Sequence, residues 1–266
     1  MESQTGWWLI THPDHARLAG AFAEAWGNAK FRKPEPRGRV LRGIASHDDG
    51  WAVRDAHPAI TRQGKPSAFS MELVGRYSAF EEIDIAEYLA VRECAVSAIA
   101  AEDPYSGILV LMHTYNLLTA HADRSTINPE GLVLLDAFLD RQRERQSNLL
   151  AEIAADEWLT QFEKSDQTIL EHFRLLQACD NLSLLSCVAY DAPANLLHPL
   201  PLNDGSTGEV KVTPIAARHF QLSPWPFSQP ELAFNFPARH VAGHTFDSAA
   251  ELQSAFNSAQ IGRAHV

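Results

Sequence analysis

One segment constrains the fold more than any other: residues 166–190, which read DQTILEHFRLLQACDNLSLLSCVAY. Drawn as a helix, it is apolar on nearly every side, and such a helix has to be surrounded by other parts of the chain. We therefore expect it to be the central helix of a helical body. Asp180 lies in its middle, where a carboxylate removed from water needs a partner.

Helical periodicity also dominates the chain before this segment. The short apolar run WWLIT predicts a strand at residues 7–11, and Thr11 is expected to cap a helix that continues to about Trp26. Apolar residues at helical spacing predict further helices at about residues 38–47, 82–101, 104–118 and 129–159.

The C-terminal part of the chain has strand patterns, unlike the helical part before it. The segments EVKVTPI, HFQL and ELAFNF predict strands of a small antiparallel sheet, and a closing helix is expected at about residues 248–258. The predicted fold class is mainly α, with a helical domain at 1–191 and a small α/β appendage at 192–259. The final residues 260–266, QIGRAHV, resemble the translation of a sequencing adapter, and we expect them to be an artefact outside the fold.

The net charge, the apolar runs and the cysteine content indicate which partners and which compartment to expect. The formal net charge is −11, and an acidic surface repels phosphate backbones, so no nucleic-acid partner is expected. No apolar run approaches the roughly 20 residues of a membrane-spanning helix, so no membrane partner is expected. The N-terminus has no signal-peptide pattern and the three cysteines are sparse and odd in number. We therefore expect reduced thiols and a cytoplasmic protein, with its oligomeric state left open.

Four polar residues that occupy or adjoin apolar helix faces have the composition of a metal site. They are His15, His47, Asp48 and Asp180. Imidazole and carboxylate ligands suit a divalent ion such as Mn, Fe, Zn, Ni or Mg, whereas thiolates would indicate a different set. A buried network of histidine and aspartate without any metal would leave the same pattern, so the spacing keeps both readings open.

These four residues resemble a known signature. His15 on a first helix, the pair His47-Asp48 at the end of the next and Asp180 on a later core helix are similar to the H…HD…D pattern of the HD-domain superfamily. Most characterised members are metal-dependent phosphohydrolases with all-α cores. The resemblance implies an HD-like helical bundle in which the four side chains bind one divalent metal ion. The sequence departs from the pattern where Asp49 replaces the Lys or Arg often found near the pair, which removes a phosphate contact.

A second resemblance covers nearly the whole chain. The chain resembles one bacterial family that is labelled a domain of unknown function. The segments that carry this likeness are THPDHARLAGAFAEAWG, HDDGW, GKPSAF, DPYSGILVLMHTYNL, LLQACDNLSLLSC and PWPF. This likeness is more specific than the likeness to HD hydrolases, which covers the ligand pattern and its helical setting.

The leading functional hypothesis is a metal-dependent hydrolase that acts on a small molecule, with an anionic, phosphorylated substrate as the finer expectation. The metal would activate a water molecule, and Asp49 or His113 would accept its proton. Arg54 and Lys65 are expected to hold an anionic group, and Trp51 to form an apolar wall.

Two other hypotheses remain open. One is a di-iron oxygenase on the same scaffold, which would need extra ligands, with His113 as the obvious one. His113 would otherwise be a fifth ligand or a substrate contact. The other is a non-catalytic module in which the His/Asp cluster binds a ligand or orders the core. His12 is expected at the exposed start of the first helix, near the mouth of the site.

Overall fold

The computed structural model describes residues 1–67, 83–188 and 190–266. These residues form a mainly α-helical body with small antiparallel sheets. The helices are α1 (His12–Ala25), α2 (Arg37–Ser46), α3 (Ala52–Asp55), α4 (Ile85–Glu102), α5 (Pro104–Asn116), α6 (Pro129–Ala155), α7 (Asp166–Cys187) and α8 (Ala249–Ser258). The strands are β1 (Glu2–Ser3), β2 (Gly6–Leu9), β3 (Ala194–Asn195), β4 (Leu200–Pro201), β5 (Thr207–Gly208), β6 (Lys211–Ala216), β7 (His219–Ser223), β8 (Asn235–Ala242) and β9 (Ile261–His265).

Helix α7 is central, as its apolar sequence predicts. It packs against α1, α2 and α5, and its residues Leu176, Cys179 and Leu182 are buried in the main core. Burial on several sides explains why so few polar residues occur in this helix. Asp180 is consequently held inside the body, next to the helices that flank α7.

Local sequence signals set the helix ends. The side-chain oxygen of Thr11 accepts a hydrogen bond from the backbone N–H of Asp14 and caps α1, which confirms the predicted start. Helix α4 begins at Ile85 after the cap Asp84, while the predicted first residue, Glu82, lies outside the described residues.

Two helices end earlier than periodicity predicts. Helix α6 stops at Ala155, because the side chain of Asp156 accepts the backbone N–H of Trp158 and turns the chain. Helix α7 stops at Cys187 rather than at residue 190. Apolar spacing alone overestimates helix length where an Asx turn competes with the next helical hydrogen bond.

Gly50 allows a close approach that positions the site. It lies in the 3₁₀ turn Asp49–Trp51, which follows α2 and faces α4. A Cβ atom at Gly50 would lie 2.3 Å from the carbonyl oxygen of Val91 in α4. Only glycine therefore lets this turn bring Asp48 within reach of α4.

The strands do not form one C-terminal sheet, and this part of the prediction is corrected. Three sheets are present among the described residues, with strand orders β1-β2-β8-β9, β3-β6-β7 and β4-β5. The segment ELAFNF becomes a strand only from Asn235, and that strand pairs with the N-terminal β2, where Trp7 lies opposite Val241. Alternation in a sequence identifies a strand and its faces but does not identify its partner.

Residues 261–265 form an edge strand, since β9 pairs with β8 and places Ala264 opposite Phe236. The expectation that this segment lies outside the fold is therefore corrected. Its origin as adapter-derived sequence and the division of the chain at residue 191 stay predictions. None of the helices in the described parts of the chain has an apolar stretch long enough to span a bilayer.

Candidate metal centre

Three helical segments bring the four predicted metal-binding side chains together. His15 comes from α1, His47 and Asp48 directly follow α2, and Asp180 comes from α7. The Nε2 atom of His15 lies 3.1 Å from Oδ2 of Asp48 and 3.8 Å from Oδ1 of Asp180. The Nε2 atom of His47 lies 3.4 Å from Oδ1 of Asp180 and 3.8 Å from Oδ2 of Asp48.

This spacing matches that of atoms that share one ion. Two ligands that are each about 2.1 Å from a metal lie about 3.0 Å apart at a right angle and about 3.4 Å apart at a tetrahedral angle. Wider angles extend the range to about 4.2 Å. The four nitrogen–oxygen distances fall inside it. Among the described residues, the groups that could hold a metal ion are two triads, His15-His47-Asp48 and His47-His113-Asp180, which share His47.

The hydrogen bonds of His15 decide which nitrogen faces the centre of the cluster. Its Nδ1 lies 2.7 Å from the hydroxyl oxygen of Ser183, and that hydroxyl donates its own hydrogen to the carbonyl oxygen of Asp180. The hydroxyl must therefore accept the Nδ1 proton. In the neutral ring, Nε2 then presents a lone pair to the Asp48 carboxylate, as a metal-binding histidine does.

His47 is oriented in the same way by the backbone. Its Nδ1 donates to the carbonyl oxygen of Ile44 at 2.7 Å. Its Nε2 is fully buried and makes no hydrogen bond to a described residue, although it faces the carboxylate of Asp180. Burial disfavours the imidazolium, yet Asp48 and Asp180 outweigh it and raise the pKa of His47 to about 9. The surroundings of the His47 ring therefore favour a positive charge at this place.

Arg92 is a residue of the candidate site that the sequence pattern missed. It comes from α4, is buried, and donates from its Nη1 to Oδ1 of Asp48, while its Nε donates to the hydroxyl of Tyr88 at 3.0 Å. Burial opposes ionisation of Asp48, but the guanidinium first and His47 next hold the pKa of that carboxyl well below its usual range. The available signal was a single basic residue in α4, since a buried cation needs a carboxylate.

Arg92 brings a cation to the His47-Asp48 pair from a different helix, but its guanidinium is buried and held by Asp48. The loss of a phosphate contact at Asp49 therefore stays a prediction. The carboxylate of Asp49 instead pairs with Arg17 at 2.9 Å, and no contact joins it to the cluster among the described residues. The structure therefore does not bring Asp49 to the place where a proton acceptor would work.

His113 lies at the edge of the cluster. Its Nε2 is 3.9 Å from Oδ2 of Asp180, and its ring is 5.1 Å from the His47 ring, centroid to centroid. Its Nδ1 is buried and has no hydrogen-bond partner among the described residues. Burial lowers the pKa of His113 to about 3, so the ring is neutral at physiological pH. A neutral ring can act as a ligand, but so low a pKa makes His113 a poor proton acceptor at neutral pH.

A cleft leads from the surface to this cluster. It has a volume of about 130 Å³, and His15 lies in its lining. A cavity of this size has room for several water molecules or a small organic molecule. Two predicted substrate-binding residues lie at or near it: Arg54 lines the cleft, and Trp51 is buried beneath the Arg54 guanidinium, which is 5.8 Å from its ring.

Lys65 is not brought to the cleft. Its ammonium lies 5.8 Å from the centre of the Trp7 ring, and it is absent from the cleft lining even though the neighbouring Pro66 and Ser67 are present in it. The turn in which Lys65 occurs is therefore close to the cleft, but its charge points to another part of the molecule.

A histidine–aspartate pair in the cleft was also missed. His12 is near the mouth, as expected, but its Nδ1 lies 2.9 Å from Oδ1 of Asp55, and its backbone N–H donates to Oδ2 of Asp55 at 2.6 Å. The ring stacks on Trp51 at 4.5 Å and lies 6.3 Å from the His15 ring. A carboxylate that holds one ring nitrogen leaves the other free to exchange a proton.

The sequence model of the family described as protein of unknown function (DUF3891) matches residues 1–243. The chain therefore belongs to this family, and the match includes every residue of the cluster and most of the cleft. No curated protein and no solved structure matches the chain. The resemblance to the HD-domain superfamily stays a prediction.

Proposed function

We propose that this DUF3891 protein binds one divalent metal ion through His15, His47, Asp48 and Asp180 and uses it to hydrolyse a small molecule in the cleft. The observation that carries the proposal is that hydrogen-bond acceptors, the Nε2 atoms and the carboxylate oxygens, face one another in the cluster. His15 and His47 each have their Nδ1 proton fixed by an acceptor, so that each Nε2 faces a carboxylate. Acceptors that face one another need a proton or a metal cation between them, and a divalent ion would serve both histidines at once.

The charges of the cluster agree with this proposal. Asp48 and Asp180 carry two negative charges, and the buried Arg92 neutralises one of them. The cluster therefore keeps a negative charge when its histidines are neutral. A network without metal would have to protonate a histidine fully, whereas a divalent cation satisfies both carboxylates and both lone pairs at once.

The geometry favours a single ion over a pair. In the described parts of the chain, the groups that could hold a metal are His15 with His47 and Asp48, and His47 with His113 and Asp180. Both groups depend on His47, whose Nδ1 is occupied by the Ile44 carbonyl. Only Nε2 remains, and one nitrogen lone pair binds one ion. A di-iron oxygenase would need ligands beyond these residues.

Hydrolysis follows from the cleft. A bound divalent ion would lower the pKa of a water ligand and polarise a substrate oxygen. His12 lines the cleft with His15 and is held by Asp55, and it would take up the proton of that water and return it to the leaving group. Helical packing and the H…HD…D order support the further proposal of an HD-like hydrolase.

The experiment compares Asp48→Asn with the matched neighbour Asp49→Asn. Each protein is loaded with Mn²⁺, Fe²⁺ or Zn²⁺, desalted and measured by elemental analysis. We expect the parent and Asp49→Asn to retain a single ion, and Asp48→Asn to lose at least about tenfold in affinity. Circular dichroism checks that both variants keep the parent's helical content.

Hydrolysis is measured with para-nitrophenyl phosphate, bis(para-nitrophenyl) phosphate and para-nitrophenyl butyrate. Metal-dependent turnover that disappears in Asp48→Asn supports a hydrolase. No stoichiometric metal in the reconstituted parent overturns the metal site. Retention of metal without turnover of any of these esters overturns the hydrolase and leaves a metal-binding module.

A further inference from the structure

The cleft has a predominantly apolar lining. Strand β2 contributes Trp8 and Leu9, the end of α7 contributes Leu184, and α8 contributes Phe256. A lining of this kind binds the apolar part of a ligand by removing it from water. Polar side chains such as Thr11, His57 and Ser67 also line the cleft, but apolar side chains outnumber them.

The charged residues of the cleft indicate which charged group a ligand would carry. Among the described residues that line it, Arg54 is the only lysine or arginine. Its guanidinium lies over Trp51 and forms no ion pair with a described carboxylate, since the neighbouring Asp55 is held by His12. One available guanidinium matches one carboxylate or phosphate group, which it can bind with two parallel hydrogen bonds.

We propose that the cleft binds an amphipathic organic oxyanion. Arg54 holds its single charged head, and its apolar body lies against Leu184 and Phe256. The body would then extend toward His15 at the cluster. The proposal rests on the proposed function only in identifying this molecule as the substrate, because the binding itself requires no metal. A polyphosphate ligand is disfavoured because its several charges would meet one arginine and no lysine in the described lining.

The test is isothermal titration in the presence of EDTA, with matched pairs of probes. Hexanoate is compared with acetate, and hexyl phosphate with inorganic phosphate, so that each pair shares a head and differs in the apolar body. Each methylene that leaves water strengthens binding by about fourfold. We expect the longer member of each pair to bind at least about tenfold more tightly.

Variants of the protein test the contributions of the ligand's charged head and apolar body separately. Arg54→Gln should weaken hexanoate and hexyl phosphate by about tenfold, because a charge-assisted pair is lost. Arg42→Gln, an exposed arginine of α2 away from the cleft, should change neither. Leu184→Ala should weaken hexanoate while leaving acetate unchanged.

The proposal is overturned if the members of each pair bind equally, if no probe binds, if Arg54→Gln binds like the parent, or if adenosine monophosphate binds as tightly as hexyl phosphate. Elemental analysis tests the metal proposal separately. Hexanoate binding by a protein that retains no metal would keep the cleft assignment and remove the hydrolase.

Discussion

Arg92 and Asp48 form a buried ion pair beside the candidate metal centre, although they are 44 residues apart in the chain. The guanidinium holds Oδ1 of the carboxylate, so Oδ2 is left to face His15 at 3.1 Å. The pair therefore orients a metal-binding carboxylate and supplies part of the charge that its burial requires.

Replacing Arg92 with methionine should destabilise the metal-free protein by about 3–5 kcal/mol, because the Asp48 carboxylate is left buried without a cation. Urea unfolding in EDTA measures this loss, and added metal should recover part of it. The control is Arg124→Met, which removes an exposed ion pair with Asp136 and should cost no more than about 1 kcal/mol. Equal losses in the two variants would contradict a special role for Arg92.

Ser183→Ala should lower metal affinity by about 10–100-fold, because the acceptor that fixes the Nδ1 proton of His15 is removed. Ser186 provides a matched control on the same helix. Its hydroxyl is buried and donates only to the Leu182 carbonyl, so Ser186→Ala should leave metal affinity unchanged. Competition with a fluorescent chelator measures both, and an equal effect of the two substitutions would argue against tautomer control.

Metal affinity should rise with pH until about pH 9. The pKa of His47 is raised from 6.5 to about 9 because Asp48 and Asp180 outweigh its burial, so a metal must displace a proton from this ring below that pH. The affinity constant should increase by up to about tenfold per pH unit. Affinity that stays constant over this range would show that His47 is not a ligand.

The stability of the metal-free protein should show the opposite trend. A raised folded-state pKa stabilises the fold below about pH 6.5, and this contribution is lost as the pH rises through about 9. The lowered pKa of Asp180, about 2 despite its burial because of the nearby His47, adds stability that is lost only as the pH falls toward that value. Thermal melts should therefore decline from pH 6.5 to about 9 in EDTA and stay flatter with metal.

Asp55→Asn should leave metal content unchanged and reduce the turnover of a hydrolysable ester by about 10²-fold, because the His12 ring loses the carboxylate that holds it. Asp49→Asn is the control, since its carboxylate pairs with Arg17 outside the cluster. The dependence of turnover on pH should also change in Asp55→Asn. Equal turnover in the two variants would remove His12 from the proposed chemistry.

Gly50→Ala should destabilise the protein by about 1–3 kcal/mol and weaken metal binding, because its Cβ would collide with the Val91 carbonyl and push Asp48 away from α4. Gly38→Ala is the control, since a Cβ there meets nothing within 4 Å, and alanine suits a helix better than glycine. Thermal unfolding and metal titration measure both variants. A Gly50→Ala protein with normal metal affinity would contradict the link between this close approach and the site.

Helix positions followed from the sequence because they depend on neighbouring residues. Thr11 could be recognised as a cap from the residues that follow it, and α7 as a central helix from its own apolar periodicity. Candidate ligands could be chosen for the same reason, since Asp180 in an apolar helix implies a partner within the protein.

Contacts between distant segments could not be read in this way. The sequence by itself determined the mainly helical class, the helix ends marked by caps and the chemical types available for a metal centre. Only the tertiary structure decided that Arg92 reaches Asp48, that Asp55 holds His12 and that β8 pairs with β2. The physical reason is that local spacing specifies which face of a helix or strand is buried, whereas the partner on that face depends on how the whole chain packs.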